Sequence, residues 1–140
     1  IPQEKVEKAQ KIFFSLVEST ENSVALHGDL HHENILSARR SPWLAIDPKG
    51  LWGDPYYDVG AWIRNPMPEI LSLPKLEVIL STRIQILAEA LHVPTDRVWA
   101  WAYSQAILAA IWSAQDHGDE KENWLRLGEE LEAIESATPS

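Results

Sequence analysis

Between positions 29 and 47 the chain sets out two carboxylates and a carboxamide, Asp29, Asn34 and Asp47, each beside a short apolar run. Val24-Ala25-Leu26 leads to the first, Ile35-Leu36 follows the second, and Leu44-Ala45-Ile46 leads to the third. Apolar runs this short, bounded by turn formers, read as strands rather than helices, the first of them buried. Arg39-Arg40-Ser41-Pro42 reads as the exposed turn between the last two strands, although the arginine pair would also suit a phosphate. The pattern therefore hangs three oxygen-bearing side chains on strand ends, where a rigid backbone fixes their spacing. Gly28, directly before Asp29, permits the sharp backbone turn that presents it.

Helical sequence surrounds this small β region. Val6, Ala9, Ile12, Phe13, Leu16 and Val17 form one apolar stripe across residues 4–19, and Thr20 to Ser23 is a polar turn. Gly53-Asp54-Pro55 reads as a turn whose proline opens a helix through Tyr56, Tyr57, Val59, Ala61, Trp62 and Ile63, with Asp58 inside it. Asn65-Pro66 ends that helix, because the residue before proline avoids helical backbone. A long helix is predicted from Ser72, with Leu76, Ile79, Leu80, Ile84, Leu87 and Leu91 on one face. Val93-Pro94-Thr95 breaks it, and Thr95 is the expected N-cap of an alanine-rich helix through Val98, Ala102, Ala106, Ala109 and Trp112, closing near Gly118. Asp119 is the expected cap of a last helix bearing Trp124, Leu127, Leu131 and Ile134, followed by a frayed Ala137-Thr138-Pro139-Ser140 tail. The fold class is α+β and mainly helical, in one domain over residues 1–140.

Composition narrows what such a domain does. At 45% hydrophobic residues with seven tryptophans, a chain of 140 residues builds a packed core. It holds no cysteine, which removes disulfide and thiol chemistry and suits a cytoplasmic setting. No apolar run is long enough to span a membrane. A net charge of −9 argues against nucleic acid, whose phosphates need basic patches, and suits a cationic small molecule. Acidic surfaces are common, so the charge alone does not name a partner.

The motifs carry a resemblance. His27-Gly28-Asp29-Leu30 with Asn34, then Asp47 after the next strand, follows the catalytic loop and metal-binding aspartate of protein kinases, with Gly28 where those enzymes have arginine. HGDLHHEN at 27–34, AIDPKG at 45–50 and GDPYYDVG at 53–60 together resemble the aminoglycoside phosphotransferase branch of the kinase-like fold. Within it, IDPKGLWGDPYYDVGAWIRNP at 46–66 is most similar to the streptomycin 6-phosphotransferase and hydroxyurea-resistance kinase group. The motif-bearing part covers roughly residues 24–66, and the absence of Ala-Pro-Glu argues against a protein kinase.

The resemblance implies an ATP- and Mg²⁺-dependent kinase acting on a hydroxyl of an aminoglycoside-like compound. Phosphoryl transfer needs positioning and charge neutralisation more than covalent help. Asp29 would orient the attacking hydroxyl and take its proton, while Asn34 and Asp47 would ligate Mg²⁺, a hard cation that keeps few protein contacts. Leu36 and Ile46 would floor the adenine slot, and Lys49 would either touch the phosphates or stand on the surface. His27 would brace the loop, and Asp58 would hydrogen-bond back to its backbone. Asp116, Asp119 and Glu120 would either hold substrate cations or simply be solvated capping groups. Trp99, Trp101 and Trp112 would either fill the core or stack on a sugar ring. No glycine-rich loop or strand lysine precedes His27, so the expectation is the carboxy-terminal lobe of a longer enzyme, inactive when isolated.

Other readings use the same letters. His27, Asp29, His31 and His32 would serve a zinc hydrolase, or the loop residues would be ordinary turn formers of a non-catalytic domain. Kinases of sugars, homoserine or choline share the His-Gly-Asp pattern, and oligomeric state is not encoded in any of these motifs.

Overall fold

A helix that is apolar on nearly every side must be buried on nearly every side, and the alanine-rich segment obeys this. In the computed structural model, which describes residues 1–135, the order is α1 (Gln3–Glu18), β1 (Val24–Leu26), β2 (Ile35–Ser37), β3 (Trp43–Ala45), β4 (Leu51–Gly53), α2 (Val59–Arg64), α3 (Leu76–Leu91), α4 (Thr95–Gln115) and α5 (Lys121–Glu135). Helix α4 is the hub, and α1, α2, α3 and α5 all pack against it. Its small residues Ala102, Ala106 and Ala110 are fully buried, and small side chains let the neighbouring helices approach closely. The tail assigned to Ala137–Ser140 lies outside the described residues.

The tryptophan alternatives resolve residue by residue. Trp99 stacks on Tyr103 with ring centres 5.1 Å apart and donates its indole N–H to the Leu131 carbonyl at 2.8 Å. Trp101 meets Phe13 and Tyr57 edge-on. Both are core. Trp112 is 55% exposed and is free to form the wall of a cavity.

The β region consists of two separate antiparallel ribbons, β1 with β4 and β2 with β3. Leu26 faces Leu51 in the first, and Ile35 faces Ala45 in the second. The first strand is not the buried run expected, since only its last residue is covered. Leu26 is buried, but Val24, Ala25, Leu36, Trp43 and Ala45 are exposed, because no helix covers the ribbons' outer faces. Strand β4 was not legible, since Leu51-Trp52-Gly53 has no alternation and gains its conformation from pairing with distant β1.

Several helix ends differ from expectation. Helix α2 begins at Val59 rather than near Tyr56, because Asp54 holds a turn over residues 55–58: its Oδ1 accepts the Tyr56 N–H at 2.8 Å and its carbonyl accepts the Tyr57 N–H at 3.0 Å. Asp58 therefore precedes the helix instead of lying within it. Helix α3 starts at Leu76, not Ser72, since Leu73 is extended and Lys75 is left-handed, leaving Glu69–Ser72 as its own 3₁₀ turn. Thr95 is the first residue of α4 rather than its cap, and its hydroxyl is buried without a partner among the described residues. Helix α4 stops at Gln115, where His117 turns left-handed and Gly118 donates to the Ser113 carbonyl. The Glu120 carbonyl accepts the Trp124 N–H, so Glu120 rather than Asp119 borders α5.

Gly60 fixes how closely α2 lies on α4. A Cβ there would stand 2.3 Å from Gln105 Oε1, and that buried amide donates to the Tyr57 carbonyl at 2.7 Å. Gly60→Ala forces the amide out of place, so stability should fall by about 1–3 kcal/mol. Urea denaturation checks this, and an unchanged midpoint would contradict the packing.

Candidate active site

The site is assembled where β1 ends. The Asp58 carboxylate accepts two consecutive backbone N–H groups, from His27 at 3.0 Å and Gly28 at 2.8 Å. Gly28 has φ +89°, and a Cβ on it would lie 3.0 Å from Lys49 Cβ and 3.1 Å from Leu51 Cγ. A larger residue is therefore excluded both by backbone conformation and by space. Asp58→Ala strands both donors and should cost about 2–6 kcal/mol at roughly 1–3 kcal/mol per donor. Amide exchange at His27 and Gly28 should accelerate with it, and unchanged protection there would show that Asp58 holds nothing.

His27 stitches the loop to the next strand. Its Nδ1 accepts the Asp29 N–H at 3.2 Å, which requires the proton on Nε2, and Nε2 lies 2.6 Å from the Ile46 carbonyl it donates to. The His27 carbonyl accepts the Lys49 N–H at 2.7 Å. Asn34 is buried and closes the ring from the other side. Its Nδ2 donates to the Asp29 carbonyl at 2.9 Å, and its own carbonyl accepts the Ile46 N–H at 2.8 Å. The backbones carrying Asp29, Asn34 and Asp47 are thus tied into one unit. Asp47 is exposed with φ +53°, a left-handed conformation that aspartate tolerates better than most residues.

His31, singled out in the sequence only as a zinc-ligand alternative, is a neighbour of the Asp29 carboxylate. Its Nε2 lies 3.6 Å from the Asp29 carboxylate and 3.3 Å from Asn34 Nδ2. A tight turn brings it there, its N–H donating to the Asp29 carbonyl at 2.9 Å, and nothing in the sequence pattern signals that turn.

The donor types bear on which metal would suit the loop. With its amide nitrogen given to Asp29, Asn34 keeps Oδ1 without a partner among the described residues, and the Asp47 carboxylate follows the strand bonded to it. One amide oxygen and one carboxylate suit Mg²⁺, which retains several waters. Zinc fares worse. Both ring nitrogens of His27 are engaged, His31 Nδ1 accepts the Glu33 N–H, and no three His, Asp or Glu side chains group together among the described residues. His32 packs edge-on against Trp62, and burial, then Arg83 and His31, push its pKa down.

Beside Asp29 opens a cavity of about 470 Å³. Gly28, Asp29, Lys49 and Leu51 form its loop side, Tyr57 and Arg64 its floor, and Gln105, Leu108, Ala109 and Trp112 the α4 side. Burial pushes the Tyr57 hydroxyl pKa up, against the pull of Arg64. Burial likewise lowers the Arg64 pKa, opposed by Tyr57 and Asp29. Lys49 therefore borders the cavity. Leu36 and Ile46 lie elsewhere, on and just beyond the β2–β3 ribbon, with Leu36 47% exposed. Asp116, Asp119 and Glu120 are exposed past the end of α4 and line no part of this cavity.

One loop thus carries a carboxylate beside a glycine turn, a buried carboxamide bonded to that residue's backbone carbonyl, and a second carboxylate beyond the next strand. The chain belongs to the aminoglycoside/hydroxyurea antibiotic resistance kinase family, whose model it matches over residues 2–117. It is similar to a streptomycin 6-kinase of Streptomyces glaucescens, 35% identical over 65% of this chain and 30% of that protein. A hydroxyurea phosphotransferase of Kitasatospora aureofaciens is 31% identical over 65% of this chain and 24% of its own length. A streptomycin 3''-kinase of Klebsiella pneumoniae is 35% identical over 65% of this chain and 35% of its own. The chain thus spans about a quarter to a third of the curated relatives it matches. No solved structure gives a significant match. No helix among the described residues is long and apolar enough to cross a membrane.

Proposed function

We propose that residues 1–140 form the carboxy-terminal lobe of a kinase-like phosphotransferase that moves phosphate from ATP to a hydroxyl of an antibiotic-like small molecule. The observation that carries this reading is the ring in which Asp58 holds the His27 and Gly28 amides while Asn34 binds the Asp29 carbonyl. It organises a base and a metal ligand on one rigid loop, within a family of antibiotic resistance kinases. Asp29 orients the acceptor hydroxyl and receives its proton. Asn34 and Asp47 would hold Mg²⁺, which would supply charge neutralisation for the nucleotide phosphates. Lys49, at the cavity rim, faces the transferred group, and Leu36 and Ile46 offer apolar surface to the adenine. The phosphate-covering lobe comes from the remainder of the enzyme, so the isolated chain is expected not to turn over.

The test is a transfer assay on the complete enzyme carrying this chain, with ATP, Mg²⁺ and a panel of streptomycin, hydroxyurea, a simple sugar and choline. Phosphorylation of an antibiotic acceptor, abolished in Asp29→Asn, is the expected result. Transfer only to the sugar or choline would move the chain to another acceptor class. No transfer to any acceptor would sink the reading.

A further inference from the structure

We infer that Tyr57 is a specificity-determining residue, its phenolic hydroxyl donating a hydrogen bond to an oxygen of the acceptor seated beside Asp29. The inference rests on the proposed role of Asp29 and adds a contact on another wall of its cavity. Tyr57 stands where two cavities meet. One is the cavity beside Asp29, and the other, of about 480 Å³, lies between α1, β4 and α4. The Tyr57 ring meets Trp101 edge-on at 5.3 Å between centres, and Trp101 lines the second cavity but not the first. The Tyr57 hydroxyl feels the charges of Arg64, Asp58 and Asp29, of which Arg64 and Asp29 line the first cavity but not the second. The ring therefore bridges the two walls with its polar end on the Asp29 side.

That polar end is unspent. The Tyr57 hydroxyl makes no hydrogen bond among the described residues, where only the backbone of Tyr57 is engaged. Nor is it sealed in. Among the described residues the side-chain atoms shut off from solvent without a partner are Arg64 Nε and the Thr95 and Ser113 hydroxyls, and Tyr57 is not one of them. Burial raises its pKa against the pull of Arg64, with Asp58 and Asp29 adding to the rise, so it keeps its proton at neutral pH and can donate. A half-buried hydroxyl that the fold leaves unpaired finds its partner in what enters the cavity. The backbone beneath it is fixed: its N–H donates to the Asp54 carbonyl at 3.0 Å and its carbonyl accepts the Gln105 amide at 2.7 Å. Gln105 is itself only 4% exposed, so the hydroxyl stands on the rigid support that a selective contact requires. Leu36 and Ile46, the surface offered to adenine, line no part of this cavity, which assigns the contact to the acceptor rather than the nucleotide.

Tyr57→Phe removes the hydroxyl and leaves every hydrogen bond of the fold in place. The test uses the complete enzyme carrying this chain, with ATP, Mg²⁺ and whichever of streptomycin, hydroxyurea, a simple sugar or choline it phosphorylates. Acceptor kcat/KM should fall at least about threefold, the effect of one neutral hydrogen bond. The KM for ATP should stay within about twofold, because the nucleotide loses no contact. The melting temperature should stay within about 2 °C of wild type. Tyr56→Phe is the matched control, since Tyr56 lines a different cavity beside His92 and Pro94 and should leave acceptor kcat/KM unchanged. An acceptor loss below about threefold, or an equal loss in Tyr56→Phe, overturns the inference. So does a rise in the KM for ATP beyond that range, or a larger fall in melting temperature, which would reveal a partner inside the fold. An inactive Asp29→Asn enzyme beside a normal Tyr57→Phe enzyme overturns this inference alone. A normal Asp29→Asn beside an impaired Tyr57→Phe removes the base and keeps the contact, and transfer to no acceptor overturns both.

Discussion

Asp29→Asn will lower kcat of the complete enzyme by about 10²–10⁴-fold, the range a positioned general base contributes, while leaving the fold intact. The separation follows from which atoms of Asp29 do structural work. Its N–H is held by His27 Nδ1 and its carbonyl by Asn34 Nδ2, and both are backbone groups that asparagine retains. Its carboxylate is partly exposed and lies 3.6 Å from His31 Nε2. The melting temperature should therefore move by no more than about 2 °C, as for a surface substitution. Acceptor KM should change less than kcat, because the amide still offers the hydroxyl a hydrogen-bond partner but cannot take its proton. The loss corresponds to about 3–5 kcal/mol of barrier. Steady-state kinetics beside a thermal melt decides the matter, and a kcat within threefold of wild type would remove Asp29 from the chemistry. Asn34→Ala makes a poor comparison, since it also strips a buried hydrogen bond from the loop.

The backbone of the loop that carries the candidate residues was more legible than the scaffold around it. Asp29, Asn34 and Asp47 sit on a contiguous stretch whose spacing is set by local turns, and local geometry is what sequence encodes directly. Helices α1, α3, α4 and α5 were legible as long periodic segments for the same reason. Their ends were not. The start of α2 is decided by Asp54, through hydrogen bonds that depend on Arg97 and Trp101 arriving from α4. Strand β4 depends on β1, across the whole catalytic segment. Arg64 and Gln105 gave no signal as site residues, because each looks like an ordinary helical polar residue until α2 and α4 bring them to one cavity. The acidic cluster at 116–120 was visible as a charge pattern, yet where its carboxylates lie relative to the cavity is set by where α4 stops. What failed in each case was a long-range contact, which periodicity and propensity do not carry.

Asp54→Ala will destabilise the chain by about 3–5 kcal/mol, the usual cost of removing one partner from a buried ion pair. The Asp54 side chain is 2% exposed and Arg97 is 19% exposed. Arg97 donates to Asp54 and also to Ser19 Oγ at 2.7 Å and the Leu16 carbonyl at 3.1 Å, so it pins the end of α1 to α4. Asp54 in turn accepts the Trp101 indole N–H at 3.2 Å, the Thr20 hydroxyl at 3.4 Å and the Tyr56 N–H at 2.8 Å. Alanine leaves a cation, an indole and a backbone donor unpaired together. Arg97→Met should be nearly as harmful, because it buries a lone carboxylate. The double variant Asp54→Ala, Arg97→Met should lose clearly less than the sum of the two, since neither residue is then left charged and alone. The damage extends to the site: Tyr56 begins the turn that places Asp58, and Asp58 holds the His27 and Gly28 amides. Amide exchange at those two positions should rise in Asp54→Ala even at temperatures where the variant remains folded. Urea denaturation of the three variants measures the cycle. A loss below about 1 kcal/mol for Asp54→Ala, or strict additivity in the pair, would mean that the α1–α4 junction and the catalytic loop are supported from elsewhere.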